Sequence, residues 1–286
     1  MSARRIRISS VRRTVLGAGL LGGALLAISG ASVQAATLPT VSVSLSSSSI
    51  TVTGVGGSGA VNVVTTAAKG MKEPDTVFVL LKPGVTQAEA EAFLASNKTA
   101  DPNTVSRIGS IVFDAEGRAG GTTEVQTSLA PGTYLAVDAE EQKSSKWPRA
   151  FFTVTTSATP LVLPTPEAIE KTIDFNFTGP KTLHNGELVR VENEGYVVHM
   201  NLAFRAKSKK SAEKLKQALL LGHEKVAEKL IAGPPVNLAG PLSTGGFQQQ
   251  IITAAPGWYV QVCFMDTQDH REHTLLGMER LIKITK

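Results

Sequence analysis

In short runs from position 41 onward, apolar residues fall on every second position. Val41, Val43 and Leu45 alternate with polar neighbours, as do Ile50 and Val52, and then Val61 and Val63. A period of two marks a strand with one buried face. Clusters of Gly and Ser interrupt these runs, which predicts short strands of a β-sandwich. Two stretches break the alternation. TQAEAEAFLA follows a Lys-Pro-Gly turn. In SAEKLKQALLLGHEKVAEKLIAG, Leu215, Leu219, Val226 and Leu230 recur at roughly helical spacing, with lysines elsewhere. Each stretch is expected to form a helix packed on a sandwich. Ser157 to Pro166, SATPLVLPTP, holds three prolines and reads as a linker.

The segments on either side of that linker resemble each other. Shifted by 125 positions, Thr53-Gly54 falls on Thr178-Gly179, Gly70 on Gly195, and Gly120-Gly121 on Gly245-Gly246. Ala130-Pro131-Gly132-x-Tyr134 likewise falls on Ala255-Pro256-Gly257-x-Tyr259. Turn glycines that supply positive φ are what a shared β fold would keep. The chain therefore divides into 36–156, a linker 157–167 and 168–286, with two tandem sandwiches of one type.

Residues 1–35 stand apart. Five arginines and no acid precede an apolar run from Val15 to Ile28, and Val33-Gln34-Ala35 offers small residues for cleavage. This is the pattern of an export signal. Ser10-Val11-Arg12-Arg13-Thr14-Val15-Leu16 also resembles a twin-arginine signal. No later segment is apolar enough to span a membrane. Removing those five arginines takes the net charge from +5 to about zero. With neither basic excess nor aromatic–basic interleaving, a nucleic-acid partner gains no support. The lysine-rich run from Arg205 to Lys229 could dock an acidic partner, but a solvated helix face is the favoured reading.

Cysteine occurs once and histidine five times. No intramolecular disulfide is possible, so Cys263 stays free, pairs between chains, or binds something. A buried thiol acting as a small hydrophobe is the plain alternative. Two histidines, His270 and His273, and Met278 follow Cys263 closely, and His199 opens an earlier strand after Asn193-Glu194-Gly195. His184 in a turn and His223 on the lysine-rich helix read as surface residues. The first half holds no histidine. At the same shift, Pro74 stands for His199 and Asp138 for Cys263. Its closing strand FFTVT arrives about five residues sooner.

The order of these residues resembles the cupredoxin family of blue-copper β-sandwich proteins. The resemblance covers about 110 residues, from Phe175 to Ile284. A histidine after a strand and an Asn/Gly turn, a cysteine ending the penultimate strand, then His273-x4-Met278 before the last strand all fit. The Cys263-x9-His273 gap is close to the long loop of the nitrite-reductase type. The resemblance implies an all-β fold of two tandem Greek-key cupredoxin-like sandwiches, each with a helical insertion. It also implies one mononuclear copper ion bound by His199, Cys263 and His273, with Met278 as axial ligand. Thiolate and imidazole bind copper in a roughly trigonal plane, and a weak thioether tunes the potential. His270 is the second choice for the later histidine. The implied role is electron transfer or copper handling outside the cytoplasm, with a redox protein as partner. Oxidase and nitrite-reductase chemistry need further histidine-bound copper. Only His184, His223 and His270 remain, with no His-x-His pair, so the chain is not expected to be an enzyme. A metal-free structural module is the alternative. A Cys-His hydrolase is disfavoured, because Cys263 ends a strand and precedes Asp266 and Asp269, which would not lower its pKa.

Overall fold

The computed structural model describes residues 37–97, 101–139 and 143–286, so the expected export signal lies outside the described residues. The first half forms β1 (Thr40–Ser46), β2 (Ser49–Thr53), β3 (Gly59–Ala67) and β4 (Asp75–Leu81). Then come α1 (Gln87–Ser96), β5 (Gly109–Glu116), β6 (Thr122–Leu129), β7 (Gly132–Val137) and β8 (Arg149–Val154). The second half forms β9 (Ala168–Ile173), β10 (Asn176–Thr178), β11 (Thr182–His184), β12 (Leu188–Asn193) and β13 (His199–Ala206). It continues with α2 (Lys209–Leu220), α3 (Glu224–Leu230), β14 (Val236–Leu242), β15 (Phe247–Ile251), β16 (Gly257–Val262) and β17 (Glu279–Thr285).

The two halves share one strand order. One layer runs β2-β1-β3-β6 in the first half and β10-β9-β12-β15 in the second. The facing layers run β5-β4-β7-β8 and β14-β13-β16-β17, with β11 added beside β17. β1 pairs with β3 in parallel, as β9 does with β12 and β11 with β17, while the other neighbours within these layers are antiparallel. The landmark residues explain the repeat. Tyr134 donates its hydroxyl to the Ala130 carbonyl at 2.8 Å, and Tyr259 does the same to Ala255 at 2.7 Å. Gly120 (φ 65°) and Gly245 (φ 77°) occupy the left-handed region at matching turns, which few other residues tolerate.

The alternating positions fill the space between the layers. In the first half Val41, Val43, Leu45, Val61 and Val63 pack on an aromatic group of Phe78, Phe113, Phe152 and Tyr134. Ring centroids there lie 4.9–5.1 Å apart. In the second half Val189, Val191, Ala203, Leu238, Tyr259 and Ile282 form the corresponding core.

The halves are not separate beads. β6 pairs with β15 at Gln126 and Gln249, joining two four-stranded layers into one of eight. Gln249 Nε2 donates to Gln126 Oε1 at 2.8 Å. Beside this seam, buried Gln248 accepts from the Asp114 N–H at 3.0 Å and donates to the Asp114 carbonyl at 2.9 Å. Each half thus covers a strand edge of the other, removing sites for stray pairing.

The second helical insertion differs from its sequence pattern. It breaks after Leu220 into α2 and α3, and Gly222 takes φ +66° at the break. Leu215 and Leu219 are buried, but α3 starts in a new phase. Ala227 is buried while Val226 is exposed. α1 follows the simpler expectation, with a capping box in which Thr86 and Glu89 exchange side-chain-to-backbone hydrogen bonds.

Candidate metal centre

The turn between β12 and β13 places the earlier histidine. Asn193 donates through Nδ2 to the carbonyls of Val197 (2.8 Å) and Leu242 (2.7 Å), and its Oδ1 accepts from the Gly195 N–H at 2.9 Å. These bonds fold residues 194–198 tightly, so β13 begins with His199 turned inward and 1% exposed.

The loop after Cys263 folds as a hairpin. The Thr267 N–H donates to the Arg271 carbonyl at 2.9 Å, Asp266 bridges to Glu272, and the His273 N–H donates to the Met265 carbonyl at 2.8 Å. Nine intervening residues therefore run out and back, and His273 returns beside Cys263. His270 lies exposed near the tip with φ +60°, so the structure does not bring it to the cluster. A 3-10 turn, His273–Leu276, then ends at Gly277 (φ +90°), and the Met278 N–H donates to the His273 carbonyl at 2.9 Å. Asn103 of the first half braces this hairpin by donating to the Asp266 carbonyl at 2.8 Å.

His199, Cys263 and His273 meet in one buried cluster, with one ligand atom from each lying within 4.8 Å of the others. Cys263 Sγ is 3.7 Å from His199 Nδ1 and 3.3 Å from His273 Nδ1. Met278 is fully buried in the same apolar pocket as Cys263, with Phe177, Val198 and Met265. His184 is exposed and bonds Thr285, while His223 is exposed at the start of α3.

Two contacts escaped the sequence reading, and one dipeptide supplies both. The β9–β10 turn holds Asp174 and Phe175. Asp174 Oδ1 lies 3.1 Å from His199 Nε2 and accepts from the Tyr196 N–H at 2.9 Å. The Phe175 ring stands edge-on to His273, 5.1 Å between centroids, with its backbone at φ +59°. Left-handed backbone in a bulky residue is strained and tends to mark a functional contact. Only the hairpin pairing brings these residues, over twenty positions upstream, to the histidines.

Burial sets the charge states. It pushes the Cys263 thiol up to about 12, although the N–H groups of Met200 and Met265 pull the other way. Burial, aided by His199, pushes His273 down to about 4. His199 is also lowered by burial, which outweighs the Asp174 carboxylate. Burial acts to raise Asp174, but bonds from His199, Tyr196 and Val197 hold it below the usual carboxylate range. At neutral pH the cluster is thus two neutral imidazoles and a thiol. Two nitrogens and one sulfur converging in an apolar pocket suit a soft or borderline metal ion.

The first half keeps the frame without this chemistry. The Met200 N–H points at Cys263 Sγ at 3.4 Å, and the Asp75 N–H donates to Asp138 Oδ1 at 3.0 Å in the corresponding place.

Strand order, a histidine opening β13, a cysteine at the end of β16, and a histidine and methionine before β17 make one pattern. The fold is cupredoxin-like. No protein-family model and no curated protein matches the chain. Among solved structures it is similar to a dithionite-reduced auracyanin from Roseiflexus castenholzii. Identity is 18%, with 41% of this chain and 95% of that one covered, at a TM-score of 0.25. It is also similar to a copper nitrite reductase from Nitrosomonas europaea. Identity there is 11%, with 86% of this chain and 94% of that one covered, at a TM-score of 0.26. At these scores the cupredoxin-like assignment stands on the strand order and the residue placements. No helix among the described residues is long and apolar enough to cross a membrane.

Proposed function

We propose that this chain binds one mononuclear copper ion and serves single-electron transfer or copper handling outside the cytoplasm. The observation that carries the reading is the convergence of His199 Nδ1, His273 Nδ1 and Cys263 Sγ in one buried apolar pocket. His199, Cys263 and His273 would hold the ion, with Met278 as weak axial ligand. Copper would supply a one-electron couple there. The protein's own part is to keep these side chains in place. Asp174 fixes the tautomer and direction of His199, Phe175 packs on His273, and the hairpin bonds tie His273 to Met265. Residues 1–35 are proposed as an export signal, 36–156 as a ligand-free copy, 157–167 as a linker and 168–286 as the copper domain. A redox protein is the proposed partner. A carrier rather than an enzyme is the proposed role, because only His184, His223 and His270 are left as histidines for a second copper.

The direct test adds Cu(II) to the purified mature chain and records visible absorption and EPR. An intense thiolate-to-copper band with stoichiometric copper is expected. If neither appears, the copper reading fails. Binding should also release about one proton per site at pH 7. The thiol is protonated there, both imidazoles are neutral, and copper binds the thiolate. Raising the pH should therefore tighten apparent binding, as followed with a pH indicator and a competing chelator. Asp174→Ala should weaken copper binding by about 10–100-fold, the usual cost of losing a carboxylate that orients a ligand histidine. Chelator competition measures that loss.

A further inference from the structure

Beneath the proposed centre lies a layer of buried polar side chains. Asn201 follows His199 by two positions in β13, Gln261 precedes Cys263 by two in β16, and Arg280 follows Met278 by two into β17. Side chains two apart in a strand share a face. Gln261 and Arg280, paired across β16 and β17, therefore stand one step below Cys263 and Met278, roughly 7 Å along the strands, and Asn201 lies diagonally across from Gln261. Glu170 meets them from β9 in the opposite layer. Its Oε2 accepts from Gln261 Nε2 at 2.9 Å and from Arg280 Nη2. Gln261 Nε2 also lies 3.3 Å from Asn201 Oδ1, and Arg280 Nε donates to Gln261 Oε1 at 2.8 Å. Glu170, Gln261 and Asn201 are each 0% exposed.

This layer is costly to keep. Burial pushes the Glu170 carboxyl up to about 7 in spite of Arg280 and Gln261. Glu170 Oε1 and Asn201 Nδ2 make no hydrogen bond, and a buried polar atom without a partner is expensive.

The first half shows that the sandwich closes without it. Strand register equates Gly132 with Gly257 and Val154 with Ile284. Gln261 then corresponds to Ala136 and Arg280 to Ala150, while β1 turns Val41, Val43 and Leu45 inward where β9 turns Ala168, Glu170 and Thr172. The copy without candidate ligands has Thr76 in the place of Asn201, bonded to Thr65 at 3.0 Å, and alanines in the places of Gln261 and Arg280, whereas the copy with candidate ligands carries an ion pair there. Replacing a buried ion pair by apolar groups is often neutral or stabilising, so the pair is not explained by stability.

We propose that Glu170, acting through Gln261 and Arg280, is a positioning residue that holds the strands leading to His199, Cys263 and Met278 in one register. The proposal rests on the copper reading for what is positioned. Its test uses the mature chain and the variants Glu170→Met/Arg280→Met, Glu170→Gln and Gln261→Met. The ring-nitrogen NMR signals of His199 and His273 are followed without metal, and the copper dissociation rate with it. The double variant should keep its thermal midpoint yet show broadened or doubled ring signals. Copper should also leave it about tenfold faster or more, as when a partner of a ligand is lost. Glu170→Gln should keep the wild-type ring signals and copper dissociation, because its one carbonyl oxygen can still accept both bonds, with a lowered thermal midpoint because Arg280 loses its counter-charge. Wild-type ring signals and dissociation in the double variant would overturn the proposal. If that variant does not fold, the same result in Gln261→Met does so. A Glu170→Gln variant as disturbed as the double variant also overturns it. Absence of copper in the wild type defeats the copper reading alone, because the ring signals are read without metal.

Discussion

Replacing Cys263 by serine should abolish the visible charge-transfer band and leave the fold intact. Serine is nearly isosteric, and its hydroxyl can still accept the Met200 N–H that now points at Sγ from 3.4 Å. What it lacks is a proton that copper can displace at neutral pH and a soft sulfur to bind. Copper affinity should fall by more than about a hundredfold, since losing a mere partner of a ligand costs about 10–100-fold. Absorption, EPR and a thermal melt on the same sample separate the cases. A persisting band would place the chromophore elsewhere, and a collapsed melt would mean that the substitution failed as a probe.

A large effect is also expected from one methyl group at Gly195. An added Cβ there would lie 2.5 Å from Asp174 Oδ1, 2.7 Å from His199 Nε2 and 2.9 Å from His199 Cδ2. The turn is pinned by Asn193 and cannot move aside cheaply, so the Asp174–His199 contact must give way. Gly195→Ala should lower stability by about 1–3 kcal/mol, the range for overpacking. It should also weaken copper binding at least as much as Asp174→Ala. Gly56→Ala is the control, because a Cβ there meets nothing within 4 Å. Equal copper affinity in Gly195→Ala and wild type would remove Asp174 from any role in orienting His199.

The legibility of this protein follows from how local each signal is. Val41, Val43 and Leu45 announced a strand because the period of a strand is written in consecutive residues. The shared register of Gly120 with Gly245 and Tyr134 with Tyr259 announced a repeat because turns and corners demand particular residues. The candidate residues could be read in order, since strand ends carry them. The rest required pairing in space. Asp174 and Phe175 reach the histidines through a hairpin whose own sequence says only that it turns. Gln126 and Gln249 join the halves, yet alternation specifies faces and not neighbours. Glu170 reads as one acid in a short strand until Gln261 and Arg280 are seen around it. The helix break at Gly222 was visible as a glycine but not as a change of phase, which is why Val226 rather than Ala227 was expected to be buried.

The paired N–H groups of Asp75 and Met200 separate frame from chemistry. In both copies a backbone donor faces the residue that closes the penultimate strand, whether that residue is Asp138 or Cys263. The donor belongs to the main chain, so point substitutions leave it in place when the side chain opposite changes from carboxylate to thiol. A tandem repeat of this kind carries the receptacle twice and can hold different side chains in each copy. The difference between the two copies at this place is then a matter of a few side chains and about five residues in one loop, on one shared architecture.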